Sequence, residues 1–577
     1  MESPRAIQRK NGRFTFSMVC VVVGFCVLAF RLVELQVVDS PDLAREAKDQ
    51  HRKIHLIEPG RGTIYDRRET VLAINSDVPS IFGDPPQCLN PRETAGTVAA
   101  VLGLDADHVE QKLRSPKSFV WIKRRIDDHA VEALRHMSLD GIGVIRERQR
   151  VYPNGALLSH VLGFAGIDGY GLEGLEWKYD RSLRGKRGQL LMDHDAVGQP
   201  IFSEVLAEQL PAVGHDIVLT IDMGLQYMAE SALDEAIEST QAKGGNVIVM
   251  DPFTGAILAM TGRPTFNPNA VRQYQPEQWR NRVVTDPYEP GSTFKIVAAA
   301  AALNEEIFRS DDRLFAEDGH YDVGGTVVHD IHSRGWMTFS EVIEHSSNIG
   351  AIKIAQRVGE ETFSDYLHAF GFGEKTGVDL SGESSGILRP RDRWSGRSLA
   401  SLAIGHEVAV TPLQLITAAA AVANGGSLMR PYVVAEVRDG DGYTVMRTEP
   451  HVRKKVISIQ AAAELTEILS RVVSQGTAGM AALPSHAVAG KTGTAQKADR
   501  KHGGYLKDQY ISSFFGFFPA RFPQLIILVV IDEPKTEFWG GKVAAPVFRK
   551  IAEQAVPYLN ILPDVPGRDI AALLVAS

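Results

Sequence analysis

The distribution of apolar and polar positions divides the chain into three parts. Residues 14–30 form an uncharged apolar run. Residues 40–215 keep neither the helical nor the strand period for long. From residue 216 onward, β-rich apolar runs alternate with amphipathic helical stretches. The pattern therefore predicts a hydrophobic N-terminal segment, a loop-rich middle region and a well-packed C-terminal domain.

The apolar run and its flanks predict a membrane anchor. Its 17 residues are at the short end of the length that spans a bilayer. The basic residues that precede it are Arg5, Arg9, Lys10 and Arg13. By the positive-inside rule, residues 1–13 stay in the cytoplasm and the chain after an anchor at 14–36 is exported. A cleaved signal peptide and a buried core helix are the alternatives, but the run exceeds a usual signal core and no small-residue cleavage site follows it.

The middle region, residues 37–215, is called the pedestal domain below. Residues 60–75 predict a turn followed by a short strand, and residues 128–137 predict a helix. Residues 146–188 are crowded with glycine, arginine and glutamate and have no lasting period. We expect this domain to be extended, rich in loops and held together by ion pairs.

The C-terminal domain, residues 216–560, predicts strands at both ends and helices between them. Two apolar runs in 244–262 are split by the turn residues 251–255, which is typical of a hairpin. Further strands are predicted at 216–222, 510–520 and 524–534, and helices at 224–240 and 545–559. The predicted fold is α+β and multidomain, with one antiparallel sheet built from sequence-distant strands and covered by helices. Residues 561–577 are expected to be a tail.

Composition argues against nucleic-acid binding and against stabilisation by disulfide bonds. The formal net charge of -8 does not favour a nucleic-acid partner, which usually requires a basic face. The three cysteines are Cys20, Cys26 and Cys88, and two of them lie in the apolar run, so no disulfide framework is predicted.

The clearest chemistry lies in "EPGSTFKIVAAAAALNEE", residues 289–306. Ser292 and Lys295 are three positions apart, so they share one face of a helix. A serine hydroxyl needs an adjacent base to act as a nucleophile, and a lysine becomes a base when burial lowers its pKa. Free N–H groups at a helix start suit a developing oxyanion. Alone, however, this spacing arises by chance about twice in a chain of this length.

Two further motifs turn this weak signal into a strong one. "HSSNIG" supplies Ser346 and Asn348, and "VAGKTGTAQK" supplies Lys491 with the residues that follow it, Thr492, Gly493 and Thr494. The spacings are 54 residues from Ser292 to Ser346 and 145 from Ser346 to Lys491. This order of S-x-x-K, S-x-N and K-T-G is the signature of serine acyl-transferases that react with β-lactams.

With these motifs the chain resembles the class B penicillin-binding proteins, which are peptidoglycan D,D-transpeptidases. The similarity extends over nearly the whole chain: "RGTIYDR" and "GLEGLEWKYD" are similar to pedestal blocks of that class, and "NRVVTDPYEPGSTFK" to its active-site block. The short pedestal, and an end without appended repeats, resemble the division-specific FtsI type. The resemblance implies cross-linking of stem peptides through a serine acyl-enzyme during septal wall synthesis, with elongation or sporulation as alternative roles.

The resemblance also implies a role for each motif residue. Ser292 is acylated by the penultimate D-Ala, Lys295 is its base, and Ser346 relays a proton to the leaving amine. Asn348 holds a substrate amide. Lys491 keeps Lys295 deprotonated and attracts the terminal carboxylate, which the K-T-G residues Thr492 and Thr494 bind. The Ser292 and Thr494 N–H groups form the oxyanion hole, and the donor peptide adds an edge strand beside the K-T-G strand.

Partners and location follow from the same resemblance. The implied partners are donor and acceptor stem peptides, β-lactams as covalent inhibitors, an FtsW-like polytopic glycosyltransferase and other divisome membrane proteins. The implied location is the inner (cytoplasmic) membrane of a bacterium, with one span, the N-terminus in the cytoplasm and the catalytic domain outside. No metal or organic cofactor is needed. His329 and His332 lack a clear third ligand and are interpreted as surface or hydrogen-bonded residues.

Two segments depart from the family pattern. Residues 66–69 have glutamate where the family often has glycine, and so does Gly405-His406-Glu407. We interpret His406 and Glu407 as loop or packing residues. A β-lactamase-like hydrolase and a non-catalytic β-lactam sensor remain as alternatives. A hydrolase would need an extra glutamate to direct water onto the acyl-enzyme, and the sequence has no compelling candidate. A sensor would tolerate loss of the motif residues, but all of them are present.

Overall fold

The computed structural model describes residues 4–43, 52–57, 59–137, 139–186, 188–194, 200–209, 212–499 and 502–564. Residues 1–3 of the predicted cytoplasmic tail and residues 565–577 of the predicted C-terminal tail lie outside this set. The chain forms two units. One contains the N-terminal helix and residues 185–213, and the other contains residues 60–184 and everything from residue 214.

The first unit begins with the predicted apolar helix. The α-helix Pro4–Val33 continues as a π-helix over Glu34–Val38. Within them Phe14–Val38 is long and apolar enough to cross a membrane, with a mean hydropathy of 2.5. The same unit holds an antiparallel sheet of three strands, in the order Arg52–Ile57, Gly188–His194 and Pro200–Gln209.

The part of the pedestal domain in the second unit is more regular than expected. The strand predicted to be short is 13 residues long, Val71–Gly83, and pairs along most of its length with Ile142–Val151. The second strand enters the stretch expected to be irregular. Only one of its ten residues is fully buried, so pairing with the neighbouring strand fixes its conformation and no apolar alternation marks it.

These strands belong to a seven-stranded mixed sheet, in which Ile142–Val151 branches from Val71–Gly83. The order along its main path is Thr444–Arg447, Val434–Arg438, Asp216–Leu219, Ile64–Tyr65, Val71–Gly83 and Val120–Lys123. A small hydrophobic core packs under one end, formed by three helices, Pro91–Leu102, Ala106–Leu113 and Asp128–Arg135. The last of these confirms the helix predicted at 128–137.

The predicted sheet of sequence-distant strands is present, and it is covered on both faces. The strand predicted at 216–222 is not part of it, because Asp216–Leu219 pairs in the seven-stranded mixed sheet instead. The five antiparallel strands of the predicted sheet run in the order Ile257–Arg263, Gly244–Met250, Leu525–Asp532, Tyr505–Phe518 and Ala489–Ala498. Successive side chains of a strand point to opposite faces. Because Phe514, Phe515, Phe517 and Phe518 are all fully buried, helices must cover both faces. The strand Ala489–Ala498, called the K-T-G strand below, lies at one edge.

The predicted helices at 224–240 and 545–559 appear as Met223–Thr240 and Gly540–Leu559, which pack on this sheet and on each other. The other α-helices are Ser159–Leu162, Gly174–Lys178, Asp180–Arg184, Arg282–Thr285, Lys295–Asn304, Phe339–Glu344, Asn348–Val358, Glu360–Ala369, Ser398–Ala403, Pro412–Ala423 and Ile459–Ser474. The short strand pairs are Phe164–Ala165 with Gly171–Glu173, Arg313–Phe315 with Trp336–Thr338, His320–Val323 with Thr326–His329, Ile387–Leu388 with Val408–Ala409, and Ser427–Met429 with Val452–Lys455.

Candidate active site

Ser292 lies in a single 3-10 turn, Gly291–Phe294, which leads directly into the α-helix Lys295–Asn304. The sequence predicted that Ser292 and Lys295 lie on the first turn of one α-helix. In the structure the turn that contains Ser292 is 3-10, and the α-helix begins at Lys295. Gly291 has φ 58°, and a Cβ on it would lie 3.2 Å from the backbone oxygen of Thr494. The glycine therefore lets the serine turn approach the K-T-G strand closely. The helix that follows is buried from Lys295 to Leu303, which holds the turn in place.

The three motifs meet at the hydroxyl of Ser346. Lys295 Nζ lies 3.3 Å from Ser346 Oγ, and it donates to Ser346 O at 2.6 Å and to Asn348 Oδ1 at 2.8 Å. Lys491 Nζ lies 2.9 Å from the same Oγ. The fold thus brings together residues that are 54 and 145 positions apart. The Ser292 hydroxyl, on the same helical face as Lys295, makes no hydrogen bond with any other residue that the structure describes.

Both lysines are fully buried, and burial controls their protonation. Burial lowers the pKa of Lys295 to about 7, and the Asp330 carboxylate opposes this shift. Burial, together with the charge of Lys295, lowers the pKa of Lys491 well below its ordinary value. Because the two ammonium groups face one hydroxyl, the pair favours a single positive charge over two.

The contacts of Lys295 suit a neutral amine. A protonated lysine has three N–H donors and no acceptor, whereas a neutral amine has two donors and one lone pair. The oxygens Ser346 O and Asn348 Oδ1 can only accept, so they occupy two donors. The lone pair that remains is available to accept a proton from a serine hydroxyl. Lys295 can therefore act as a base without losing the contacts that position it.

Ser346 itself has an uncommon backbone conformation. Its φ is 59°, in the left-handed region that non-glycine residues rarely adopt. Such strain persists where surrounding contacts enforce it, and it concentrates at functional sites. Here the bond from Lys295 Nζ to Ser346 O is one of those contacts.

The hydroxyls of the K-T-G strand are already positioned by neighbours. Thr494 Oγ1 accepts from Gly540 N at 2.9 Å, so its own O–H is free to donate to an anion. Thr492 Oγ1 lies 3.0 Å from Thr477 Oγ1. A Cβ on Gly493 would lie 2.5 Å from Ser513 Oγ and 2.9 Å from Pro290 O, so only glycine fits between the strand and the serine turn.

Sequence reasoning missed Asp330 and Thr477. Asp330 Oδ1 accepts from the backbone N–H groups of Asn348 and Ile349, and Asp330 Oδ2 accepts from Ser347 Oγ. It therefore caps the helix that carries Asn348 and lies close enough to Lys295 to influence its pKa. Asp330 precedes that helix by 18 residues, too far for a local capping signal. Among the described residues, no group of three or more His, Cys, Asp or Glu side chains is placed to hold a metal ion.

Both departures from the family pattern keep a left-handed backbone. Glu69 has φ 66° and Glu407 has φ 58°, so each glutamate adopts a conformation that glycine adopts without strain. The His406 ring packs edge to face on Tyr505, and its Nδ1 lies 3.0 Å from Glu289 Oε2. Glu407 lines a cavity of about 270 Å³ that also reaches residues 496–498 of the K-T-G strand.

Comparison with known protein families gives two matches that together span most of the chain. The model described as "Penicillin binding protein transpeptidase domain" matches residues 245–553. The model described as "Penicillin-binding Protein dimerisation domain" matches residues 56–219. The first match contains all the motif residues discussed above.

Individual relatives are similar over nearly their whole lengths. Stage V sporulation protein D of Bacillus subtilis is 38% identical over 559 residues, which are 96% of this chain and 86% of that protein. Peptidoglycan D,D-transpeptidase FtsI of Escherichia coli is 29% identical and covers 96% of this chain and 92% of its own. The crystal structure of penicillin-binding protein 3 from Mycobacterium tuberculosis, in complex with aztreonam, superposes with a TM-score of 0.70 at 29% identity, covering 89% of this chain and 99% of that one.

Proposed function

Because the chain belongs to the class B penicillin-binding proteins, which are serine-type peptidoglycan D,D-transpeptidases, we propose that it cross-links stem peptides of the septal wall through an acyl-enzyme on Ser292. The observation that carries the assignment of residues is the convergence of Lys295 and Lys491 on the Ser346 hydroxyl, next to the serine turn. The motif residues keep the roles expected from the sequence, and the geometry adds reasons for them.

The first half-reaction forms an ester and releases D-alanine. Ser292 Oγ attacks the carbonyl carbon of the penultimate D-Ala, and its proton passes to the lone pair of Lys295. The tetrahedral oxyanion accepts from the N–H groups of Ser292 and Thr494. When the C–N bond breaks, the departing amine of the terminal D-Ala takes a proton through Ser346, which is within reach of both lysines. Lys295 is then neutral again.

The second half-reaction transfers the acyl group to an amine. The acceptor amine of another stem peptide attacks the ester carbon, and the C–O bond to Ser292 breaks. The acceptor amine loses a proton and Ser292 Oγ gains one. Lys295, Lys491 and Ser346 carry out this proton transfer. The D-Ala carbonyl is now linked to the acceptor through an amide.

Substrate orientation follows from the charges of the strand. The terminal carboxylate is drawn to Lys491 and the hydroxyls of Thr492 and Thr494, of which Thr494 has a free O–H. The K-T-G strand lies at the sheet edge, so its outer side is open to a peptide that adds as another strand. Asn348 holds an amide of that peptide from the opposite side.

Covalent labelling tests this function. A fluorescent penicillin should acylate Ser292, because its ring amide imitates the D-Ala–D-Ala bond. Ser292→Ala removes one hydroxyl and should abolish labelling, whereas Ser239→Ala, on the surface helix Met223–Thr240, should label like the unchanged protein. Peptide mass mapping identifies the modified residue. Labelling that persists in Ser292→Ala would contradict the assignment.

A sporulation role is the second candidate, favoured by one observation. The relative named for stage V of sporulation is 38% identical, against 29% for the relative named FtsI. Depletion of the protein in its own host distinguishes the two roles. A septal enzyme leaves growing cells filamentous, and a sporulation enzyme leaves vegetative division intact. The proposed partners for the septal role are an FtsW-like glycosyltransferase and other divisome membrane proteins.

We place the chain in the inner membrane, with the N-terminus in the cytoplasm and the catalytic domain outside. The apolar helix and the basic residues before it support this orientation. A phosphatase reporter fused after residue 45 should be active, and a cytoplasmic reporter at the same point should be silent. The reverse pattern would overturn the topology.

A further inference from the structure

We propose that Asp330 is a positioning residue for the reaction: it holds the S-x-N segment, residues 346–348, in the geometry that binds Lys295, and it places a negative charge beside the buried lysine pair. The proposal rests on the proposed function above and gives a role to a residue outside the three motifs. Asp330 directly follows the strand Thr326–His329, and its carboxylate accepts three hydrogen bonds from residues 347–349. It acts on the base through the groups that it holds and through its charge.

The first effect is on Asn348, which binds the base directly. Asp330 Oδ1 accepts from the backbone N–H of Asn348, and Asn348 Nδ2 donates to His329 O at 3.1 Å. The other polar atom of this side chain, Oδ1, accepts from Lys295 Nζ at 2.8 Å. Because residues 329 and 330 hold both the backbone and the amide nitrogen of Asn348, they determine which way its amide oxygen points.

The second effect is on the strained turn at Ser346. Asp330 Oδ2 accepts from Ser347 Oγ, and the same hydroxyl oxygen accepts from Gly350 N at 2.9 Å. The residue after Ser346 is therefore bound to the loop on one side and to the helix on the other. This supports the left-handed conformation of Ser346, φ 59°, in which its carbonyl oxygen accepts from Lys295 Nζ at 2.6 Å.

The third effect is electrostatic. Burial lowers the pKa of Lys295 to about 7, and the Asp330 carboxylate opposes this shift. The helix Asn348–Val358 begins next to the lysine, and a helix N-terminus carries a partial positive charge that disfavours a proton there. Asp330 accepts from two N–H groups of that terminus and so offsets its charge. Since a base with too low a pKa accepts a proton poorly, Asp330 keeps Lys295 suited to work at neutral pH.

Other carboxylates near the S-x-N segment are engaged elsewhere. Glu341 Oε2 accepts from Thr338 N, at the opposite end of the helix that precedes the segment. Glu344, on the same helix, lies 3.7 Å from Arg471. The remaining titratable neighbours are basic: Lys491, His345, His329, His332 and Arg334. Among the described residues, Asp330 is therefore the carboxylate that acts on Lys295.

The test compares the pH dependence of acylation in matched variants. Asp330→Asn keeps the shape of the side chain and one acceptor oxygen but removes the charge. Second-order acylation constants for benzylpenicillin are measured by stopped flow, with the full-length protein in detergent, from about pH 5 to about pH 9, which brackets the range in which a base works at neutral pH. Each profile gives a midpoint and a plateau rate.

Asp330→Asn should lower the midpoint on the order of one pH unit, because the carboxylate that favours the protonated amine is gone and the amine loses its proton at lower pH. The plateau should also fall, since a weaker base accepts the serine proton less readily. Ser347→Ala removes one bond to Asp330 but keeps the charge. It should lower the plateau on the order of tenfold through looser positioning and leave the midpoint where it is.

Asp127→Asn is the matched control. Asp127 also caps a helix, Asp128–Arg135, and accepts from Ala130 N at 2.7 Å, but it lies in the pedestal domain. The same chemical change there should leave both the midpoint and the plateau equal to those of the unchanged protein. If Asp330→Asn does not fold, Asp330→Ser replaces it, because serine also caps helices and carries no charge.

An unchanged midpoint in the uncharged variant would overturn the proposal even if the plateau falls, because a purely structural role lowers the plateau alone. Ser292 labelled by benzylpenicillin, together with this unchanged midpoint, would refute the role of Asp330 and leave the proposed function standing. If benzylpenicillin does not label Ser292 in the unchanged protein, the proposed function fails and the role of Asp330 with it.

Discussion

Two clusters of buried charge lie in the same unit of the fold, and they are built on opposite principles. In the pedestal domain, Glu176 is fully buried and accepts from Arg61 Nε and Arg150 Nε, each at 2.6 Å. Arg61 also donates to Asp180 at 2.7 Å, so two carboxylates balance two guanidinium groups. In the catalytic site, Lys295 and Lys491 are equally buried, yet they are like charges that meet at one neutral hydroxyl.

The comparison distinguishes buried charges that stabilise the fold from buried groups whose protonation is shifted for a reaction. A buried ion pair with good geometry keeps its charges, because attraction and hydrogen bonds offset the loss of water. Two buried lysines without adequate counter-charge instead give up a proton, and the pKa of Lys295 falls to about 7. The pedestal cluster therefore holds elements together, whereas we propose that the lysine pair lowers stability and supplies the base.

The largest expected effect comes from unbalancing the pedestal cluster. Glu176→Gln leaves Arg61 and Arg150 buried without their shared counter-charge and should lower the free energy of unfolding by about 3–5 kcal/mol. Glu238→Gln, on an exposed face of the helix Met223–Thr240, is the control and should change it by less than about 0.5 kcal/mol. Urea unfolding followed by tryptophan fluorescence measures both. Equal effects of the two substitutions would show that the buried network adds no stability.

Fixing the charge of the base should remove catalysis while the fold remains. Lys295→Arg places a permanent positive charge at this position, because a guanidinium cannot lose its proton, so acylation should fall on the order of 100-fold. Lys491→Arg keeps the charge that its electrostatic role requires and should be milder. Stopped-flow acylation with a chromogenic β-lactam compares the two variants. A nearly unchanged rate in Lys295→Arg, with failure of Lys491→Arg, would mean that the two lysines have been assigned the wrong way round.

Replacing Lys491 by an uncharged residue should have the smallest effect on the free energy of unfolding. The sign of this effect should be opposite to that of Glu176→Gln. Lys491→Met fills the same volume without a charge and should leave the free energy of unfolding unchanged or raise it by about 1 kcal/mol. Its acylation rate should fall in the same preparation. A loss of stability comparable to that of Glu176→Gln would erase the distinction between the clusters.

The motif residues could be predicted from the sequence because each motif is local and chemically distinctive. Ser292 and Lys295 share a helix start, and the K-T-G residues lie on one strand. Their partners could not be predicted in this way. Asp330 and Thr477 reach the site through the tertiary fold, and neither has a local pattern that distinguishes it from an ordinary loop residue.

The same distinction explains which parts of the fold were predicted. The strands Gly244–Met250, Ile257–Arg263 and Leu525–Asp532 are apolar enough to be predicted from the sequence, and the hairpin over 244–262 has its turn residues in place. The strand Ile142–Val151 has arginine and glutamate on faces that stay partly exposed, so its apolar period is absent. Pairing with Val71–Gly83 determines its conformation, and the paired residues lie 59 to 77 positions apart in the chain.

The most direct test of the central claim is the pH dependence of acylation. Lys295 must be neutral to accept the Ser292 proton, so the rate should rise with pH and level off once the amine is deprotonated. Stopped-flow acylation by benzylpenicillin across the neutral range should give an apparent midpoint near 7, which belongs to the coupled lysine pair. Lys295→Arg should lose this dependence. A rate that keeps rising towards the ordinary lysine pKa, or that falls as pH increases through 7, would contradict the claim that burial makes Lys295 the base.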